Sequence, residues 1–344
     1  MYDKLAAADV RDPLVRPLAA AGAHVWRADP RGGPLLARLV GRVWARLPGR
    51  RARELAAAVR ETMAAIRASA EWERARIVAL EELVASLAAT ATPRPWLGAG
   101  ERPFLLVGTG GGGTRILGEA ALRLGVGLGP RVNESFDSVA WAPLVYEMIL
   151  DGASARGRIL EHAREVHAGW AFGDRPWGIK LPELTLVLPR FLEAFPAARV
   201  VFLARHPVTA ALRRHHVTST LEHPIGRRVL EEAYRAAGRD PSSAARDAQH
   251  IRNALSWRLQ IGRVLGALEA LPPAQVLRLR FEDFARNAAG TTARLAAFVE
   301  RPMRADAIAR IDGSRLGEVT RADRRAAEVM DLCGPTARAL GYLP

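Results

Sequence analysis

The sequence predicts an α/β fold, a parallel sheet flanked by helices and preceded by a helical extension, and three observations predict it. Short apolar runs of strand length recur at Phe104–Val107, Arg199–Ala204 and 275–279. Helix-length amphipathic segments separate them, from 114 and near 184–194 and 244–271, with others at 208–217 and from about 291. A cluster of glycines, at 108 and 110–113, follows the first run without a break. Strands that alternate with helices form parallel sheets covered on both faces. Ligands of such sheets sit beyond the C-terminal ends of the strands, so the residues leaving those ends carry the functional question.

The first part of the chain has another texture. Leu55, Val59, Met63, Ile66, Trp72, Ile77, Leu80, Val84 and Leu87 recur mostly at steps of three or four, the pattern of an amphipathic helix or of two with a break near Trp72. Residues 1–50 also read as helical, interrupted at Pro30, Pro34 and Pro48, and the stretch around Pro93, Pro95 and Pro103 reads as a linker. The division predicted is a helical extension over 1–98 and an α/β domain over 99–344.

Composition narrows the function classes. Hydrophobic residues make up 49% and charged residues 25% of 344, a globular profile long enough to bury a large core. The single cysteine, Cys333, allows no internal disulfide and no cysteine-rich metal site. Asp3, Asp9 and Asp12 interrupt the N-terminus, and no run of apolar residues is long enough to span a membrane, so a cytoplasmic location is expected. The eight histidines show no ligand spacing, and no catalytic metal is expected.

The net charge of +14 raises the question of nucleic acid, but the arginines are spread along the chain among alanine, leucine and acids. Lys4 and Lys180 are the only lysines among 50 basic residues, which reads as the coding bias of a GC-rich genome. No nucleic-acid partner is expected. Lys180 thereby stands out: a chain that has replaced nearly every lysine keeps one after an apolar run and before Pro182, at what reads as another strand end.

The glycine loop reads as an anion site. Gly108, Gly110, Gly111, Gly112 and Gly113 let the backbone turn tightly and aim several N–H groups at one ligand. Thr114, opening the helix, adds a hydroxyl and the helix N-terminus its partial charge. Two other readings fit the loop. Gly108, Gly110 and Gly113 match G-x-G-x-x-G with Glu134 about twenty residues on, as in dinucleotide-binding oxidoreductases. The loop is also P-loop-like, although Thr114 and Arg115 stand where a kinase needs lysine and a magnesium-binding hydroxyl. Arg205, leaving the second run, is a fork for a phosphate. Glu282 and Asp283, after the third, read as caps of the following turn.

The order FLLVGTGGGGTRIL, GIKLPEL, FPAARVVFLARHP and LRFEDF resembles that of the PAPS-dependent sulfotransferases, bacterial members in particular, over about 103–344, and LGY at 340–342 is similar to their ends. PAPS is 3′-phosphoadenosine 5′-phosphosulfate and PAP its desulfated product. The resemblance implies a P-loop-like sulfotransferase fold and transfer of a sulfuryl group to a hydroxyl or amine. It implies that Gly110, Gly111, Gly112, Gly113 and Thr114 hold the 5′-phosphosulfate, that Arg205 holds the 3′-phosphate, and that Lys180 meets the bridging oxygen.

Two departures stand out. Members carry Arg or Lys ahead of the Ser-Gly-Thr of the loop, so Arg115 or Lys180 has to supply that cation here. A serine usually follows the 3′-phosphate arginine by eight residues, but Arg213 occupies that place and either binds the phosphate itself or leaves the phosphate without a partner there. The segment Asn133-Glu134-Ser135-Phe136-Asp137 is similar to an Asn-Glu-x-x-Asp element of some bacterial members. Glu134 is the first choice of base, with Asp137, His206, His215 and His216 as alternatives. The acceptor the resemblance implies is a small molecule, carbohydrate or lipid-like compound. Three uses stay open for the N-terminal helices: completing the acceptor pocket, building a homodimer, or neither.

Overall fold

The computed structural model describes residues 96–152, 156–168, 175–212, 216–308 and 324–342. The helical extension expected over 1–98 lies outside the described residues except for its last three, as do Arg213 and His215. In chain order the described elements are β1 (Phe104–Val107), α1 (Thr114–Arg123), α2 (Ala142–Asp151), α3 (Arg156–Ala168), β2 (Gly178–Lys180) and α4 (Leu184–Ala194). There follow β3 (Arg199–Ala204), α5 (Pro207–Ala211), α6 (Pro224–Ala236), α7 (Gln249–Glu269), β4 (Val276–Arg280), α8 (Phe281–Arg286), α9 (Ala288–Phe298) and α10 (Arg324–Ala339). Among the described residues no helix is long and apolar enough to cross a membrane.

The four strands are parallel in the order β2-β1-β3-β4. Successive strand residues point to opposite faces, and the two cores divide accordingly. Leu105, Val107, Ile179, Val200, Phe202 and Ala204 enter one apolar cluster with α2, α3, α4, α7 and α10. Phe104, Leu106, Val201, Leu203 and Leu279 enter the other with α1, α8 and α9. Continuous apolar runs, rather than alternating ones, are what a strand covered on both faces requires.

Element ends differ from the sequence reading where local capping intervenes. The helix expected over 208–217 stops at Ala211, and His216 instead caps a separate turn, Val217–Ser219. The helix expected from 244 begins at Gln249, because Asp240 accepts from the Ser242 N–H (2.9 Å) and starts a short turn at Pro241. The helix expected from about 291 begins at Ala288, with Asn287 accepting from the Gly290 N–H (2.8 Å).

β1 sits between β2 and β3, so the connections leaving the centre of the sheet pass to opposite sides. That reversal opens a crevice at the C-terminal ends of β1 and β3, where open α/β sheets bind ligands. Register fixes what meets there: Leu106 pairs with Lys180 on one side and with Val201 on the other.

Cys333, on α10, is buried against α7 and donates to the Ala254 carbonyl (3.4 Å). Burial pushes its thiol up to about 12, leaving almost none of the reactive thiolate at neutral pH. Native protein should therefore resist an aromatic disulfide reagent at pH 8 and release one thiol per chain on unfolding in guanidinium. Rapid labelling of the native chain would mean that α10 does not pack as described.

Candidate active site

The loop after β1 is glycine-rich because at most of its positions the neighbours leave no room for a side chain, while Gly111, in open space, takes a φ of +75°. A Cβ at Gly110 would lie 2.0 Å from Cγ of His216, and one at Gly113 would lie 2.1 Å from Cδ2 of Phe281. Gly113 also takes a φ of +91° as the N-cap of α1, in the left-handed region that other residues avoid. The turn is closed by the Gly112 N–H donating to the Thr109 carbonyl (2.9 Å), and buried Thr114 opens the helix. Backbone N–H groups at a helix N-terminus make an anion cradle.

Arg205 leaves β3 next to that loop and is only 2% exposed. Its Nη1 donates to the Gly111 carbonyl (3.3 Å) and its Nε to Oγ1 of Thr209 (3.2 Å). The guanidinium lies over the Phe281 ring at 4.1 Å, the same ring that approaches Gly113. Glu282, beside it, accepts from the His206 N–H (2.9 Å) and from the Tyr342 hydroxyl (2.9 Å). It thus fastens the turn after β3 rather than acting as a local cap. His206 caps α5, its Nδ1 accepting from the Val208 N–H (3.3 Å), and burial lowers its pKa.

Lys180, at the end of β2, is 1% exposed. Its Nζ donates to the Ser135 carbonyl (2.8 Å) and to Oδ1 of Asp137 (2.5 Å). Burial lowers its pKa, and Asp137 opposes that shift. The turn that covers it is shaped by Asn133, whose Oδ1 accepts from the Ser135 and Asp137 N–H groups (both 2.9 Å) and whose Nδ2 donates to Asp137 (3.1 Å). This geometry turns Asp137 inward to the lysine and leaves Glu134 exposed on the same turn. Arg115, half-buried in the first turn of α1, adds positive charge near Lys180.

One residue of this region escaped the sequence reading. Glu183, three residues beyond Lys180, is 3% exposed, and its carboxyl is raised from 4.5 to about 7. Burial is the main cause, and the nearby charge of Asp137 adds to it. Its Oε1 lies 3.7 Å from Nε2 of His216, the ring seated on Gly110. Tyr146, from α2, is raised to about 12 by burial and then by Glu183 and Asp137. In the sequence, Glu183 looks like an ordinary acid at a helix start; only tertiary burial distinguishes it. The fold thus gathers the glycine loop, Thr114 and Arg205 at one place and Lys180 with Asp137 on the adjoining strand.

The profile of a family described as the sulfotransferase family matches residues 14–305, and so begins ahead of the boundary expected at 98. No curated protein matches the sequence. Among solved structures, the chain is similar to a sulfotransferase from Alicyclobacillus acidocaldarius at 16% identity, with 70% of this chain and 95% of that one covered and a TM-score of 0.43. It is similar to the sulfotransferase domain of the Synechococcus PCC 7002 olefin synthase at 14% identity, with 73% and 99% covered and a TM-score of 0.41. A sulfotransferase from Mycobacterium avium is 13% identical, with 78% and 81% covered and a TM-score of 0.40.

Glu183 gives the fold a pH dependence of definite sign. Its folded value near 7 exceeds its ordinary 4.5, so the native state binds more protons between those values and stability falls as pH rises through that window. Glu183→Gln removes the penalty. Its stability relative to the parent should rise by about 3 kcal/mol from pH 4 to pH 8 in urea melts. A parent–variant difference independent of pH would show that Glu183 ionises normally.

Proposed function

The chain belongs to the sulfotransferase family, and from that premise we propose that it moves a sulfuryl group from PAPS to a hydroxyl or amine of a small-molecule, carbohydrate or lipid-like acceptor, releasing PAP. The observation that carries this reading is the pairing, at the reversal point of the sheet, of a glycine loop with a buried arginine on one aromatic ring. A donor with two separate anionic groups on one nucleoside calls for two such sites. A triphosphate or a dinucleotide does not call for an arginine at this second place.

In this reading the loop N–H groups of Gly110, Gly111, Gly112 and Gly113, with the Thr114 hydroxyl, hold the 5′-phosphosulfate. Arg205 takes the 3′-phosphate in its fork, with Arg213, eight residues on, as a second contact. Lys180 carries the compact charge that meets the bridging oxygen as the S–O bond breaks, and Arg115 raises the local potential. Asp137 holds Lys180, so the donor competes with a carboxylate for that ammonium. Glu134 and Asp137 lie on the turn that faces this exchange.

PAP should raise the melting temperature more than ATP, NAD or a random DNA duplex at equal saturation. At a hundred times its dissociation constant a ligand contributes about 2.7 kcal/mol, a shift of several degrees. Adenosine 5′-phosphate, which lacks the 3′-phosphate, should bind more weakly than PAP, and Arg205→Lys should shrink that difference by losing the bidentate fork. A larger shift with NAD or ATP than with PAP would overturn the donor reading.

A further inference from the structure

Helix α7 carries a row of polar side chains into the interior beside apolar Trp257, Ile261 and Val264. Gln249, Asn253, Ser256 and Gln260 follow at steps of four, three and four, so they share one face. Each reaches across to another segment. Gln249 Nε2 donates to the Ser219 carbonyl (3.1 Å), Asn253 Nδ2 to the Ala211 carbonyl (2.8 Å) and Ser256 Oγ to the Thr218 carbonyl (3.0 Å). Gln260, only 1% exposed, touches two segments at once. Its Oε1 accepts from the buried Thr185 hydroxyl (2.9 Å), and its Nε2 donates to Oγ of Ser256 (2.9 Å) and to Oγ1 of buried Thr218 (3.1 Å). The Ser256 carbonyl, 3.2 Å from Nε2, can only accept, so the amide keeps this orientation. An apolar side chain would need no partners here, and a buried amide that loses its partners is costly. What a satisfied buried network supplies is a single arrangement of the segments it joins.

The two segments that Gln260 joins bear on different sides of the site. Thr185 stands in the first turn of α4, and its hydroxyl also lies 2.8 Å from the Pro182 carbonyl, on the stretch that leads back to Lys180. Thr218 belongs to the turn Val217–Ser219, which His216 caps, and the His216 ring packs against Gly110 of the glycine loop. A cavity of about 20 Å³ is lined by Thr109 and Gly110 of the loop and by Asn253, Ser256 and Gln260 of α7, so little more than one water fits between them. Both joined segments lie outside the sheet, and strand pairing does not fix their separation. We propose, resting on the sulfuryl-transfer reading, that Gln260 is a positioning residue. It sets the distance between the loop that holds the phosphosulfate and the strand end that carries Lys180. An ammonium that meets charge growing on a bridging oxygen depends steeply on that distance. Donor binding rests on the loop and Arg205 and depends on it far less.

Two readouts on the full chain test this. Lys4 and Lys180 are the only lysines, so a Lys4→Arg chain labelled at lysine Cε gives one NMR signal, that of Lys180. Thr218→Val, across Gln260 from the lysine, should shift that signal in protein without added nucleotide, and the shift should disappear once Gln260→Met is also present. The second readout is sulfate release from PAPS with water as the acceptor, which needs no identified substrate. Gln260→Met and Thr185→Val should each lower kcat by about tenfold to a hundredfold, with KM for PAPS and PAP affinity within about twofold. The double variant should lose no more than the worse single one, because both break the same link, and Thr185→Ser should recover most of the loss. A Lys180 signal that ignores Thr218→Val, or that responds equally with and without Gln260, overturns the link. Losses that multiply in the double variant, or a kcat near the parent's in Gln260→Met, overturn the role in turnover. A parent that does not bind PAP overturns the donor reading, and the lysine signal then decides the link by itself. If the parent binds PAP but releases no sulfate above buffer, the lysine signal again decides.

Discussion

The Phe281 ring sets the spacing on which the rest of the site depends. It is buried, lies under the Arg205 guanidinium at 4.1 Å, and comes so close to Gly113 that only glycine fits there. An arginine stacked on a ring keeps its charge while giving up rotational freedom. The loop and the arginine leave different strands, and β1 and β3 alone would fix only where they begin. The ring, at the start of α8 just after β4, fixes their separation.

On the other flank the constraint is electrostatic. Lys180 and Asp137 are held at 2.5 Å, with the lysine almost fully enclosed. A buried ion pair contributes little net stability, but removing either partner strands a charge and is strongly destabilising. The pair therefore acts less as a brace than as a charge kept inside the protein. The cost of keeping carboxylates there appears on Glu183, whose ionisation is opposed by burial and by Asp137.

Most of the fold was legible because it is written in short, local patterns. β1, β3 and β4 are apolar runs, and the glycine loop and Arg205 stand at two of their ends in the sequence itself. β2 spans only Gly178–Lys180, too short for any periodicity, and was legible only through a lysine placed before a proline. The overextended helix at 208–217 arose because apolar spacing continues past Ala211 and nothing in composition shows that His216 caps a new turn. The Asn133–Asp137 turn was the least legible part. Glu134 and Asp137 occupy one short motif, and the side chain of Asn133 determines which of them turns inward. Glu183 is distinguished only by what the rest of the chain packs around it.

The contacts joining Tyr342, Glu282 and His206 bear on how the protein is made. The hydroxyl of Tyr342 reaches Glu282, which holds the backbone beside Arg205, and the Tyr342 and His206 rings meet edge-on at 5.2 Å. A nascent chain can pair β1 with β3 well before Tyr342 is synthesised, yet the clasp on the turn bearing the arginine is completed only when that residue docks on Glu282. Long-range pairing of this kind is slow to form. The chain thus passes through a stage with its sheet assembled and the turn after β3 held by Glu282 without the Tyr342 hydroxyl.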